Sequence, residues 1–150
     1  MDLRIIKMQG CGNDFLFMDY VQGDPPNFYP REIRFLCDRH FGLGADGVVI
    51  LQKSAEAHAQ WKFYNSDGSE AEMCGNAARC AIKYLSERYY PHDVPITLLT
   101  KAGLIKGKPV EHSELIEVTL SPNSFERFGY DHKIIATDKY SLEVYFINTG

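Results

Sequence analysis

The stretch Asn65-Ser66-Asp67-Gly68-Ser69-Glu70-Ala71-Glu72-Met73-Cys74-Gly75-Asn76-Ala77-Ala78-Arg79 runs from a turn signal into a cysteine that opens a helix. From Gly75 onward, Ala78, Ala81, Ile82 and Leu85 recur at i, i+3, i+4 and i+7, while Arg79, Lys83 and Glu87 fall on the opposite face. That spacing predicts an amphipathic helix with Cys74 at its N-cap or in its first turn. A helix start presents backbone N–H groups with no intrahelical acceptor and the positive end of the macrodipole. It can stabilise a thiolate and also hold a ligand carboxylate. A free cysteine is otherwise a small buried core residue. Here Gly75 lets a ligand approach the backbone and Asn76 offers both a donor and an acceptor, which favours a functional reading.

The 150-residue chain is 45% apolar and 24% charged, ordinary for a globular protein, and its length suits one domain or two small ones. The net charge of -4 comes without a Lys/Arg run, which argues against nucleic-acid and anionic-membrane partners and for a small molecule. Residues 1–8 mix polar and apolar side chains with no secretory apolar segment, and no run approaches the roughly 20 residues that span a bilayer. The expected location is cytoplasmic, with reduced thiols. Cys11, Cys37, Cys74 and Cys80 form no C-x-x-C pair, and His40, His58, His92, His112 and His132 lie singly, so no metal is expected.

Residues 3–8 and 15–20 read as strands joined by a tight polar connection, with Asn13 at its exit as a turn residue that tolerates unusual dihedrals. Pro30, then Ile33, Leu36 and Cys37 at helical spacing, predict a short helix over 31–41 with Cys37 in the core. Gly42-Leu43-Gly44-Ala45-Asp46-Gly47 matches the letters of the dinucleotide fingerprint, but here a helix enters the glycines and Val48-Val49-Ile50 leaves them, the reverse of what that fingerprint needs. The chain also reads without alternating strand and helix units. The glycines therefore predict a loop that comes close to another backbone or to a ligand. Residues 48–52 and 60–64 read as strands, the second placing Trp61 and Phe63 on one face with Asn65, and Trp61 in the core. After the central helix, 89–95 is a loop, and 96–100, 104–108 and 115–120 describe an antiparallel meander. Ser121-Pro122-Asn123-Ser124 reads as a domain boundary, with further strands at 134–136 and 142–147.

No histidine lies in the helix-start segment, so a thiol hydrolase would need a base from a distant part of the fold. Cys80 cannot share a substrate atom with Cys74, since six helical residues place it about 9 Å along the axis and roughly 240° around. Any second thiol must come from elsewhere.

Four motifs occur in order over most of residues 1–120: Gly12-Asn13-Asp14-Phe15, Gly42-x-Gly44-Ala45-Asp46-Gly47, Asn65-x-Asp67-Gly68-Ser69-Glu70, and Met73-Cys74-Gly75-Asn76-x-Ala78-Arg79-Cys80. This set resembles that of the diaminopimelate epimerases, cofactor-independent enzymes of lysine and peptidoglycan biosynthesis. Proline racemases are more distant, with a histidine where this chain has Asn76. The resemblance implies an α+β fold, diaminopimelate epimerase-like, with antiparallel strands wrapped around a central helix. Residues 1–120 would form one domain of the usual two, and 121–150 the opening strands of the second. It also implies interconversion of LL- and meso-diaminopimelate by two cysteines acting as acid and base, without pyridoxal phosphate or another cofactor. Cys74 is then one of the two. Asn13 and Asn65 would bind the distal ammonium and carboxylate groups, and the N–H groups of Gly75 and Asn76 the reacting α-carboxylate, where preorganised donors suit the charge that accumulates.

In that family the second half supplies the other cysteine, so the expected partner is a C-terminal half or second domain, and a homodimer is compatible with this. The 150 residues would then be a fragment, a truncated form or one of two subunits. The chain departs from the family pattern at Ala77, where glycine is usual; alanine still offers its N–H and favours the helix by about 1 kcal/mol, while its methyl could crowd the pocket. Gln9 and Cys11 replace a histidine and an aliphatic residue, and Gly47 stands where some members carry a substrate-contacting glutamine. Two other readings remain beside the epimerase: a non-catalytic binding module that keeps the half-site, and a thiol hydrolase or transferase on an amino-acid-like substrate.

The helix-start position predicts that Cys74 alkylates faster near neutral pH than Cys37 or Cys80. Brief iodoacetamide treatment followed by peptide mapping checks this, and labelling of Cys74 last would remove the ground for giving it a reactive role.

Overall fold

A two-residue turn, Cys11-Gly12, closes the first hairpin. Its residues sit at φ 56° and 83°, the left-handed pair that a type I′ connection requires. Gln9 Oε1 accepts the Gly12 N–H at 3.1 Å and braces the turn. The unusual dihedrals thus fall on Cys11 and Gly12, and Asn13 is already in a strand. In the computed structural model, which describes residues 4–91, 94–119 and 131–146, β1 (Ile5–Gly10) and β2 (Asn13–Tyr20) flank this turn with Gly10 opposite Asn13.

From β2 the chain passes through α1 (Pro30–Cys37) to β3 (Gly47–Gln52), which lies parallel to β2. From β4 (Ala59–Asn65) it passes through β5 (Glu70–Ala71) and α2 (Gly75–Arg88) to β6 (Ile96–Thr100), which lies parallel to the start of β4. The remaining neighbours are antiparallel, including β7 (Gly103–Pro109) with β6 and β8 (Ile116–Thr119) with β7. The order across the sheet is β1-β2-β3-β4-β6-β7-β8, with β5 beside the far end of β4. The sheet is therefore mixed, and two strand–helix–strand crossovers correct the expectation of purely antiparallel strands without alternating units. Parallel neighbours need a crossover of a dozen or more residues, usually helical, and both helices serve as one. A separate antiparallel hairpin joins β9 (Asp131–Ala136) to β10 (Ser141–Phe146). The expected boundary at 121–124, the strand ends at residues 3, 120 and 147, and His92 lie outside the described residues.

Helix α1 has Pro30 in its first turn, where a missing N–H costs nothing, and Glu32 returns to accept the Tyr29 N–H at 2.9 Å. It ends at Cys37 rather than at 41. Asp38 is extended, and its carboxylate accepts the N–H groups of His40 and Phe41, which turns the chain out of the helix.

Strands β2 and β3 are covered on both faces. Phe15, Phe17, Val49 and Leu51 pack with Trp61, Phe63, Ala78, Ala81, Ile82 and Leu85 on the α2 side. Leu16, Met18, Val48 and Ile50 pack with Ile33 and Cys37 on the α1 side. This two-sided burial explains the unbroken apolar run in β3. Helix α2 also touches strands at both ends of the sheet, β1 and β8.

The glycine loop between α1 and β3 approaches the chain's own backbone. A Cβ at Gly42 would lie 1.9 Å from the Phe35 carbonyl oxygen, and one at Gly47 would lie 2.6 Å from that of Tyr64. Charges then fasten this loop to the first hairpin. Arg39 donates to both carboxylate oxygens of Asp14, at 2.7 and 3.1 Å, and to Asp46 at 2.9 Å. Lys7 Nζ lies 3.2 Å from Asp14. The Arg39 guanidinium holds the Asp14 carboxyl well below the usual carboxylate range, opposed by burial and helped by Lys7.

Leu85 is fully buried against the sheet, so Leu85→Ala should cost about 2–5 kcal/mol in urea unfolding. The ion cluster makes a second prediction. Because the folded Asp14 value is depressed, its contribution is present above the unfolded value of about 3.9 and is lost as pH falls through the folded value. Acid unfolding followed by circular dichroism should therefore be steeper below about pH 4 for the native chain than for Asp14→Asn. Equal slopes would remove Asp14 from this account.

Candidate functional site

The turn after β4 delivers the chain to the helix start. Asn65 and Ser69 pair through Asn65 N–H and the Ser69 carbonyl at 2.9 Å, Gly68 N–H closes onto the Asn65 carbonyl, and Asp67 accepts from Ser69. Strand β5 then runs back along β4, and Cys74 arrives as the N-cap of α2 with extended dihedrals, its carbonyl accepting the Ala78 N–H at 2.9 Å. A serine or aspartate there would fold an oxygen onto the first-turn N–H groups. Cysteine makes no such capping bond. The space beside the first turn is open, since a Cβ on Gly75 would meet only Arg79 Nη1, at 3.9 Å.

The end of the first hairpin completes the site. Asn13 Oδ1 lies 3.9 Å from Cys74 Sγ, within reach of the thiol as donor, and accepts from Asn76 Nδ2 at 3.2 Å. Asn13 Nδ2 donates to Asp46 Oδ2 at 2.6 Å. Asn76 Oδ1 accepts from the Arg79 guanidinium, whose Nη2 also lies 3.4 Å from Cys11 Sγ. Cys74, Asn76 and Asn13 are thus brought together, with Gly75 at the helix start between the first two.

Asn65 is placed differently. It is exposed at the end of β4 opposite Gly47, and its amide donates to Ser69 Oγ at 3.1 Å. It stands on the same rim, one residue before Ser66, whose N–H reaches the Asp46 carbonyl, but its side chain is engaged within its own turn. Ala77 is fully buried in the main core. Burial pushes the Cys37 and Cys80 thiols up to about 11, in keeping with core positions. Cys11 is exposed. His58 is committed elsewhere, its ring nitrogen 2.7 Å from Thr97 Oγ1 and its ring edge-on to Tyr90.

Asp46 and Arg79 stand within the sequence motifs without an assigned task, and Arg39 lies outside all of them. Arg79 was legible, because a donor three residues beyond Asn76 on a helix lies over the same face. Asp46 carried the weaker signal of a carboxylate set between glycines that pack against backbone. Chemically, a half-buried thiol at an uncapped helix start, flanked by two amides, can hold an anion and exchange a proton with a group bound beside it. Among the described residues, no cluster of His, Cys, Asp or Glu is spaced to hold a metal ion, and no helix is long and apolar enough to cross a membrane.

The chain is similar to known proteins over most of its residues. The family profile described as diaminopimelate epimerase matches residues 5–125. The diaminopimelate epimerase of Desulfitobacterium hafniense is 44% identical over 105 residues, covering 69% of this chain and 37% of that protein. That of Aquifex aeolicus is 35% identical and covers 96% of this chain and 53% of that protein. Among solved structures, a hydroxyproline epimerase from Agrobacterium vitis with bound trans-4-hydroxy-L-proline superposes with a TM-score of 0.63 at 18% identity, over 97% of this chain and 48% of that one. The chain thus spans about two fifths to a half of the length of these relatives. With the profile matched over most of its residues and its thiol at an open helix start, the chain belongs to the diaminopimelate epimerase family.

Proposed function

We propose that this chain supplies one half of the active site of a diaminopimelate epimerase, with Cys74 as one of two thiols that exchange the α-proton of the substrate. The observation that carries the reading is Cys74 at the uncapped N-terminus of α2, beside Asn13 and Asn76. In the reaction, one thiolate removes the proton from the α-carbon, and a thiol on the opposite face returns one, inverting the centre without any cofactor. The free N–H groups of Gly75 and Asn76 receive the α-carboxylate, and stabilise it as negative charge spreads onto it from the carbanion. Asn13 and Asn65, on the rim, take the distal ammonium and carboxylate. Asn65 must first release Ser69, whose hydroxyl it now engages.

The second thiol is assigned to the missing half, and Cys11, exposed in the first turn beside Arg79, is the one thiol here that could take its place. Cys80 and Cys37 are buried, and the burial that raises both thiols leaves them poor bases near neutral pH. Residues 1–120 form the first domain, with strands wrapped around α2, and 121–150 open the second. The contacts of α2 with both ends of the sheet support the first part, and the separate β9–β10 hairpin supports the second. The partner is a C-terminal half or second domain, a homodimer being compatible, and the working location is cytoplasmic.

The test is solvent deuterium at the substrate α-carbon. The 150-residue polypeptide alone should incorporate none, and a matching C-terminal half, fused or added in trans, should restore incorporation. Cys74→Ala in the completed enzyme should lower the rate by about 10²–10⁴. Full turnover by the polypeptide alone, persisting in Cys11→Ala, would overturn the half-site reading. Cleavage or acyl transfer in place of exchange would point to a hydrolase.

A further inference from the structure

Two amides beside Cys74 are gripped at their outer ends by ions. Asn13 Nδ2 donates to the Asp46 carboxylate at 2.6 Å, and a carboxylate can only accept. Asn76 Oδ1 accepts from the Arg79 guanidinium, which can only donate. Between them, Asn76 Nδ2 donates to Asn13 Oδ1 at 3.2 Å. All the donors therefore point one way, from Arg79 through Asn76 and Asn13 to Asp46. An isolated asparagine could present either end of its amide, but turning Asn13 here would set its carbonyl against a carboxylate. Asp46 is itself held from behind, by Arg39 at 2.9 Å and by the Asp14 N–H at 3.2 Å, and its Ser66 contact joins it to the turn that precedes Cys74. Such aligned hydrogen bonds polarise one another, which strengthens the whole row.

We propose that Asp46 is a positioning residue for Cys74: it locks the Asn13 amide so that the carbonyl oxygen, and not the NH₂ group, faces the thiol. That oxygen accepts the S–H proton, while the helix start beside it favours the sulfur anion. The two influences oppose each other at one atom. A group that must donate a proton in one direction of a reaction and remove one in the other needs such a balance, and this use of the lock rests on the epimerase reading. The orientation of Asn13 does not, because it follows from the donor and acceptor chemistry of its neighbours. The same lock makes the Asn13 end of the rim an acceptor, suited to a cationic or N–H group and not to a carboxylate, and leaves the helix start to hold an anion.

The test compares Cys74 alkylation by iodoacetamide in Arg79→Met and in the double variant Asp46→Asn with Arg79→Met, at pH 7 and at pH 10. Without Arg79 the Asn76 amide can reverse, and asparagine keeps the shape of Asp46 but can donate, so in the double variant Asn13 is freed to turn its NH₂ group toward the sulfur. The rate at pH 7 should rise roughly three- to tenfold, the effect of moving one neutral hydrogen bond from the thiol to the thiolate. At pH 10, where thiols in general are ionised, the two proteins should react at nearly equal rates. An unchanged rate at pH 7, or an equal rise at both pH values, would overturn the proposal, the second outcome because a merely loosened loop exposes sulfur at every pH. A measurement on the native chain guards against misfolding of the variant. The Asn13 side-chain NH₂ protons should exchange slowly and show no nuclear Overhauser contact to the Cys74 β-protons, and such a contact would refute the assigned orientation. Neither measurement needs substrate, so absence of deuterium exchange in the completed enzyme would dismiss the epimerase reading while leaving the position of Asp46 decided separately.

Discussion

The structure depends on how closely α2 can approach the sheet. Its buried stripe begins with Ala77, Ala78 and Ala81, all without exposed surface, before widening to Ile82 and Leu85. Small residues at the start let the N-terminal turn sit deep against β1 and β2, while the larger ones fill the space farther along. A larger side chain at Ala78 would lever the turn outward and separate Cys74 from Asn13, whose contact spans two elements 61 residues apart in sequence. The reactive geometry is thus a consequence of packing volume: the core fixes where the helix begins, and the helix start fixes where the thiol stands.

Local pattern revealed what local forces decide. The period of α2, the alternation of Trp61 and Phe63 in β4 and the turn around Gly68 all lie within a few residues, and each formed as read. The parallel pairing of β2 with β3 and of β4 with β6 was not legible, because a strand's side-chain pattern does not name its neighbour. The premature end of α1 was hidden for a related reason. Leu36, Cys37 and Phe41 keep helical spacing, while a single carboxylate, Asp38, competes for the backbone. At the site, Cys74, Gly75 and Asn76 were visible as one short run. The tie from Asn13 to Asp46 crosses 33 residues and could be seen only once the hairpin and the glycine loop were placed together.

The glycine loop shows how one composition can serve opposite ends. The same letters that elsewhere cradle a dinucleotide here press against Phe35 and Tyr64, and that close packing, together with Arg39, holds Asp46 in place. Order in this loop comes from backbone contact on one side and from ions on the other. The site's polarity is therefore set by residues that belong to the scaffold.

The two outer strands of the main sheet have a further consequence. Among the described residues, β1 pairs only with β2 and β8 only with β7, so each leaves a row of backbone donors and acceptors unpaired. Such rows invite another chain to add itself as the next strand. Each row is interrupted by charge, Lys7 between Ile6 and Met8 on β1 and Glu117 between Ile116 and Val118 on β8. A strand laid along either edge would have to bring its own side chains up against that charge. Lys7 is itself held by Asp14, so the guard at β1 works through the cost of parting that pair and the guard at β8 through the exposed carboxylate of Glu117. Salt weakens both, so the two margins are better protected from an added strand in dilute buffer than in concentrated salt.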